Sequence, residues 1–355
     1  MNNQELYEDA IVLLKQLIAL PSFSKQEDKT AAAIENFLKG KDISFERNGN
    51  NVWAKNKYFD SGKPTILLNS HHDTVEPNRQ YTKDPFDPII KENKLFGLGS
   101  NDAGGSLVSL LSVFVNYYNQ SDLKYNIIIA ATAEEENSGD NGIASIFSLL
   151  PPIDFAIVGE PTLMRMAVCE RGLLVLDGEA LGKAGHAARN EGENALYKAI
   201  RDIEWIHNYK FEKISDLLGE VKMNVTVIET ENKAHNMIPS QCKFVADVRV
   251  NELYSFEEIL STIRKNVTST IKERSTKMRS TLIPLDHPLI KAGIGLGLQY
   301  YGSPTTSDKA IMPFPALKMG PGDSARSHSA DEFIYCNEIN NGIEIYIRLL
   351  NELVL

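Results

Sequence analysis

Cysteine is scarce in this chain, positive charge is outweighed and long apolar runs are missing; each shortage removes a class of function. The three cysteines among 355 residues, Cys169, Cys242 and Cys336, are odd in number and scattered. They supply neither a disulfide frame nor a closed Cys/His zinc tetrad. Each reads as a small core residue in a reducing compartment. The longest apolar runs fall far short of the ~20 residues a membrane helix needs, and the opening MNNQELYEDA lacks a basic segment followed by an apolar one. A cytoplasmic location is expected by default. A formal net charge of −10 argues against nucleic acid or an anionic membrane as the main partner. Low-complexity segments, internal repeats and long charge blocks are absent too.

What is present is ordinary for a globular protein: 43% hydrophobic and 24% charged residues. The length exceeds what one core usually covers, so two domains are expected. Leu6, Ala10, Leu13, Leu14 and Leu17 fall at helical spacing and Pro21 stops the pattern; a second helix runs through AAAIENFLK to near Gly40. Apolar runs at 65–68, 125–131 and 155–158 then read as buried strands of a mainly parallel sheet, with a long helix, SLVSLLSVFVNYY, between the first two. Another short strand is expected at 316–319. The middle of the chain alternates with period two instead. Val221, Met223, Val225 and Val227 form one such series, and Cys242, Phe244, Ala246, Val248 and Val250 another, as in half-buried antiparallel strands. With a strand at 173–181 and helices near 193–207 and 255–273, this predicts a small ferredoxin-like α+β domain inserted at 167–278. The larger α/β domain comprises 1–166 and 279–355.

Chemistry collects at the strand ends. The first strand ends in His71-His72-Asp73, the second in Glu134-Glu135-Glu136 and the third in Glu160; Asp102 sits in FGLGSNDAGG before the long helix, and His328 in GPGDSARSHSADE after the late strand. Ligands of open α/β sheets bind outside the carboxyl ends of the strands, so scattered residues converge there. Carboxylates packed so closely repel unless cations offset them. Two borderline divalent ions sharing a bridging carboxylate are the simplest solution, zinc being the expected one. In a strand, residues two apart face the same way, so His71 and Asp73 share a side and suit ligand and orienting group, while His72 points elsewhere.

These residues resemble the M20 metallopeptidases, the group of acetylornithine deacetylase, succinyl-diaminopimelate desuccinylase and carboxypeptidase G2. The family's H-x-D-T-V matches His71–Val75, its D-E-E matches Glu134–Glu136 with glutamate first, its G-E-P matches Gly159–Pro161, and its late histidine before D-E matches His328. The resemblance covers nearly the whole chain. It implies that His71, Asp102 and Glu160 hold one metal, that Asp102, Glu136 and His328 hold the other, and that cobalt can replace zinc. It implies Asp73 as the partner of His71, and Glu135 as the general base acting on a metal-bridging water. The inserted domain then serves as a dimerisation or lid domain, with His186, in GKAGHAA, reaching across a homodimer interface to a tetrahedral oxyanion, and Asn236 and Arg249 contacting substrate. The departures are Ser70 before the first histidine, Leu98, Ala103 and Gly104 around Asp102, and an extra residue in Val75-Glu76-Pro77. None removes a ligand.

The resulting expectation is a di-zinc amidohydrolase that takes an acyl group from a small-molecule N-acyl amino acid, most like the acetylornithine deacetylases of arginine biosynthesis. An N-succinyl amino acid desuccinylase or a small dipeptidase keeps the chemistry and changes the substrate. A catalytically inactive metal-binding relative would have lost a ligand or the base, and no matched position has. His72, His207, His235 and His287, and Trp53 and Trp205, read as packing or surface residues.

Overall fold

The computed structural model describes residues 2–189 and 191–355. The chain forms two compact units: one holds residues up to Val168 with Ile283–Tyr301 and Ser307–Leu355, the other Cys169–Leu282 with Gly302–Thr306.

The first unit has the expected α/β class. Its centre is a parallel set of strands in the order Asn126–Thr132, Thr65–His71, Phe155–Val158 and Ala316–Lys318, with antiparallel strands beyond each end. Thr65–His71 and Asn126–Thr132 are buried at every position, which is why they read as unbroken apolar runs rather than alternating ones. One face packs on a core that includes Trp53, Leu67, Ile128, Ala130, Ala156 and Val158. The buried helix Gly105–Tyr118 packs against Thr65–His71 and Asn126–Thr132, and against Asn3–Ile18 and Cys336–Val354. Because the four strands run parallel, all their carboxyl ends lie at one edge of the sheet. No helix among the described residues is long and apolar enough to cross a membrane.

The second unit is an antiparallel sheet in the order Lys222–Thr230, Gln241–Val250, Gly172–Leu181 and Thr270–Glu273. Its chain order is strand, helix, strand, strand, helix, strand. Helices Ala195–Asn208 and Phe256–Asn266 share one core with the inward residues Leu174, Leu176, Phe244, Ala246 and Val248. The helix expected to run to 273 stops at Asn266, and Thr270–Glu273 is instead the closing strand. The reason is local. Val267 and Thr268 are β-branched, and the Asp202 carboxylate accepts from the amides of Thr268 and Ser269 (3.0 and 2.8 Å), turning the chain before a further helical turn can form.

Candidate metal centre

His71 is the last residue of its strand and is fully buried. Its Nδ1 lies 3.0 Å from the main-chain carbonyl of Asp73, which can only accept, so Nδ1 carries the proton. Nε2 points the other way, into the acidic cluster. It faces Asp102 Oδ1 at 3.4 Å, Glu160 Oε1 at 3.7 Å and Glu135 Oε2 at 3.9 Å, yet completes no hydrogen bond. A buried ring nitrogen aimed at carboxylate oxygens calls for a positive charge between them, carried by a proton or by a metal ion. Burial disfavours a charged imidazole, but Glu135, Asp102, Asp73 and Glu160 outweigh it and hold His71 well above its ordinary pKa. This donor set fits a divalent cation.

Asp102 follows Gly99, whose φ of 74° needs glycine, in a kinked stretch where Asp102 itself leaves helical geometry (φ −118°, ψ 99°). Its Oδ1 faces His71 and its Oδ2 faces His328 Nε2 at 3.6 Å. One carboxylate thus spans the two histidines, as a bridging ligand would. His328 Nε2 also lies 3.0 and 3.2 Å from the two oxygens of Glu136, and that contact pushes His328 up to about 9. Burial, then Asp102, raises Glu136. Burial, with Glu160, Asp308 and Glu136 adding to it, holds Glu135 well above the usual carboxylate range against the pull of His71. Two overlapping groups have ligand atoms close enough to share an ion: His71, Asp102 and Glu136, and His71, Glu135 and Glu160.

The buried Asp73 does more than neighbour His71. Its carboxylate oxygen is 3.4 Å from His71 Nδ1, while its oxygens accept from the amides of Glu135 and Glu136 (both 3.1 Å) and from Ser24 Oγ (2.7 Å). One side chain therefore supports both the ligand strand and the acidic loop. His72 points away, as alternation requires. Its Nε2 meets the Asn50 carbonyl at 2.9 Å, so that nitrogen holds the proton, and Nδ1 meets Thr30 Oγ1 at 2.9 Å. Burial lowers its pKa to about 4 and keeps it neutral. His287 caps the helix Pro288–Gly295, with Nδ1 accepting from the Leu289 amide.

The remaining expected residues lie in the second unit. His186 is exposed on Gly185–His186, which pairs with Met237–Ile238; its Nδ1 accepts from the Ala188 amide, and the Asn236 carbonyl accepts from Ala187. Arg249 is not a free cation on its strand. Its guanidinium grips Asp247 through bonds of 2.7 and 3.0 Å.

Three supporting residues escaped sequence reasoning: Ser24, Glu27 and Glu332. Glu27 is fully buried and accepts from the amide of Glu134 (3.3 Å), whose positive φ of 54° is a costly conformation for a side chain, and from Asn50 Nδ2 (2.8 Å). Glu332 accepts from backbone amides beside Asp102. Burial and the Asp102 charge push it up to about 8. Glu332 is met by main-chain amides, Glu27 by an amide and Asn50 Nδ2, and Ser24 donates to the Asp73 carboxylate, all partners distant in sequence. The signal for Glu332 is the Asp331-Glu332 pair that follows His328.

Comparison with known proteins gives the family and the fold. A family model described as Peptidase family M20/M25/M40 matches residues 67–352. A succinyl-diaminopimelate desuccinylase of Rickettsia bellii (strain OSU 85-389) is 28% identical over 74% of this chain and 71% of its own. An acetylornithine deacetylase of Buchnera aphidicola subsp. Schizaphis graminum is 27% identical over 96% of this chain and 97% of its own. Among solved structures, a tripeptidase of Staphylococcus aureus subsp. aureus Mu50 superposes with a TM-score of 0.76 at 18% identity, covering 98% of each chain; at that identity the likeness speaks for the fold alone.

Proposed function

Since the chain belongs to the Peptidase M20/M25/M40 family, and is thereby a hydrolase of metal-dependent type, we propose that it cleaves the amide bond of an N-acyl amino acid at a centre holding two divalent ions. The observation that carries this reading is His71 Nε2, buried without a completed hydrogen bond and facing three carboxylates. His71, Asp102 and Glu160 would hold one ion, and Asp102, Glu136 and His328 the other, with zinc expected and cobalt able to substitute. Divalent ions there supply Lewis-acid polarisation of the scissile carbonyl and bring the pKa of a water towards neutrality.

The protein's own groups do the rest. Glu135 takes the proton of the attacking water at a carboxylate oxygen and returns it to the departing amine. Asp73 holds the amide of Glu135 in place while the Asp73 carbonyl fixes the His71 tautomer. His186 is assigned to the tetrahedral oxyanion of a partner subunit, and Asn236 and Arg249 to substrate; for Arg249 this requires opening its pair with Asp247.

A homodimer would be built on the strand Lys222–Thr230. It ends the second unit's sheet, and it exposes Val227 and Ile228 beside the helix bearing exposed Tyr197 and Ile200. A long edge strand of this kind is a template for pairing with another chain. The three buried free thiols suit a reducing cytoplasm.

For the acyl group we favour acetyl, with N-acetylornithine and arginine biosynthesis as the setting, on the relative matched along almost its whole length. Succinyl is the second reading, because desuccinylases recur among the relatives, two of them at 92% of their own length. Release of free amine from N-acetyl and N-succinyl amino acids and dipeptides separates these. A rate on the acetyl substrates supports the first reading, a rate confined to succinyl substrates replaces it, and no rate on any member overturns the N-acyl amino acid reading.

A further inference from the structure

Beyond the ligands, the described residues hold a buried carboxylate with an unusual set of partners. Glu332 is 2% exposed. Its Oε1 accepts from the amides of Asn101 (2.8 Å) and Asp102 (2.9 Å), and its Oε2 from the amide of Gly99 (3.2 Å). Its own carbonyl accepts from the Gly97 amide at 3.0 Å. These amides belong to a stretch that is not regular helix, so without the Glu332 oxygens they would be buried donors with nothing to bond.

Glu332 is itself anchored. The next residues, Phe333–Tyr335, pair antiparallel with Lys94–Phe96. Four positions before Glu332 on the same loop stands His328. A second clasp joins the same two loops: Asn101 Nδ2 donates to the Asp323 carbonyl (3.0 Å), and the Asp323 amide donates to Asn101 Oδ1 (3.0 Å).

We propose that Glu332 is a positioning residue of the metal centre: its carboxylate, seated on the amides of Gly99, Asn101 and Asp102, locks the loop carrying Asp102 to the loop carrying His328 and so sets the spacing of their ligand atoms. This rests on the assignment of Asp102 and His328 as ligands made above. Glu332 touches neither ion nor substrate. Its effect is on where the Asp102 carboxylate sits, since the backbone it grips is that of Asp102 itself.

Glu332→Gln keeps the shape and loses the charge and one acceptor; Glu332→Asp keeps the charge and shortens the reach. Metal-stripped protein would be titrated with zinc against a chromophoric chelator, the cobalt-loaded form examined by visible absorption, and the apo melting temperature recorded. Outer partners of metal ligands typically change affinity by about 10–100-fold. The expected result is a loss of that size for at least one ion in Glu332→Gln, with an altered cobalt spectrum and smaller changes in Glu332→Asp. Wild-type affinities and spectrum in the variants, including a case where only the apo melting temperature falls, overturn the proposal and leave the metal centre standing. If Glu332→Gln does not fold, Glu332→Asp alone decides on the same readouts. Wild-type protein that takes up no metal overturns the metal centre and this inference together.

Discussion

At the scale of the residue, two adjacent histidines have opposite fates because a strand alternates. His71 ends with Nε2 among carboxylates and no completed hydrogen bond, and His72 with both ring nitrogens spent on Asn50 and Thr30. His71→Ala should therefore abolish uptake of at least one ion. His72→Ala should keep metal uptake and cost about 1–3 kcal/mol, the penalty for leaving buried partners unpaired. Metal titration and urea unfolding of the two variants check this; loss of metal uptake in His72→Ala would contradict it. The period-two rule made this difference legible before any coordinates. What stayed hidden was the support. Ser24 and Glu27 act on hydroxyl-accepting or amide-donating atoms of other loops, so nothing in their spacing marks them; Glu332 was legible as part of the D-E after His328, yet not as the acceptor for the Asn101 and Asp102 amides. Asp73 was legible as a neighbour of His71, yet not as the acceptor for the Glu135 and Glu136 amides.

At the scale of the element, buried strands declared themselves as continuous apolar runs, and half-buried ones as alternation. The end of the helix Phe256–Asn266 did not, because the Asp202 carboxylate that turns the chain lies far away in sequence. The loops are held by similar long-range contacts. Asp331 accepts from the amides of Thr82 and Lys83, from Lys83 Nζ, and closely from Thr82 Oγ1, tying residues 82–83 to the loop of His328. The Thr82 hydroxyl above all, with Lys83, holds the Asp331 carboxyl well below its ordinary value. A carboxylate whose folded pKa is depressed stabilises fully above the unfolded value, about 4, and loses that contribution as pH falls through the folded value. Asp331→Asn should be less stable than wild type at neutral pH, with the gap closing on acidification below about pH 4. Urea midpoints across that range that run parallel would sink the clamp. The edge strand Lys222–Thr230 offers a second test. Val227→Lys should yield a monomer by light scattering that keeps its metal but loses about 10²–10³-fold in turnover, the usual worth of one oxyanion donor. A monomer with full turnover would remove His186 from a partner's site.

At the scale of the whole molecule, the first unit gathers residues separated by as much as 257 positions, His71 to His328, at one sheet edge, because parallel strands all end on the same side. That topology, more than any single motif, turns mutually repelling carboxylates into a cation site. The measurement that bears most directly on this is amine release by metal-stripped protein as zinc is returned stepwise, beside Glu135→Gln treated identically. The account predicts no turnover without metal, a rate that saturates at about two ions per chain, and a variant that binds the same ions while losing about 10²–10⁴-fold in rate. Full turnover in the stripped protein, or near-normal turnover in Glu135→Gln, would contradict it.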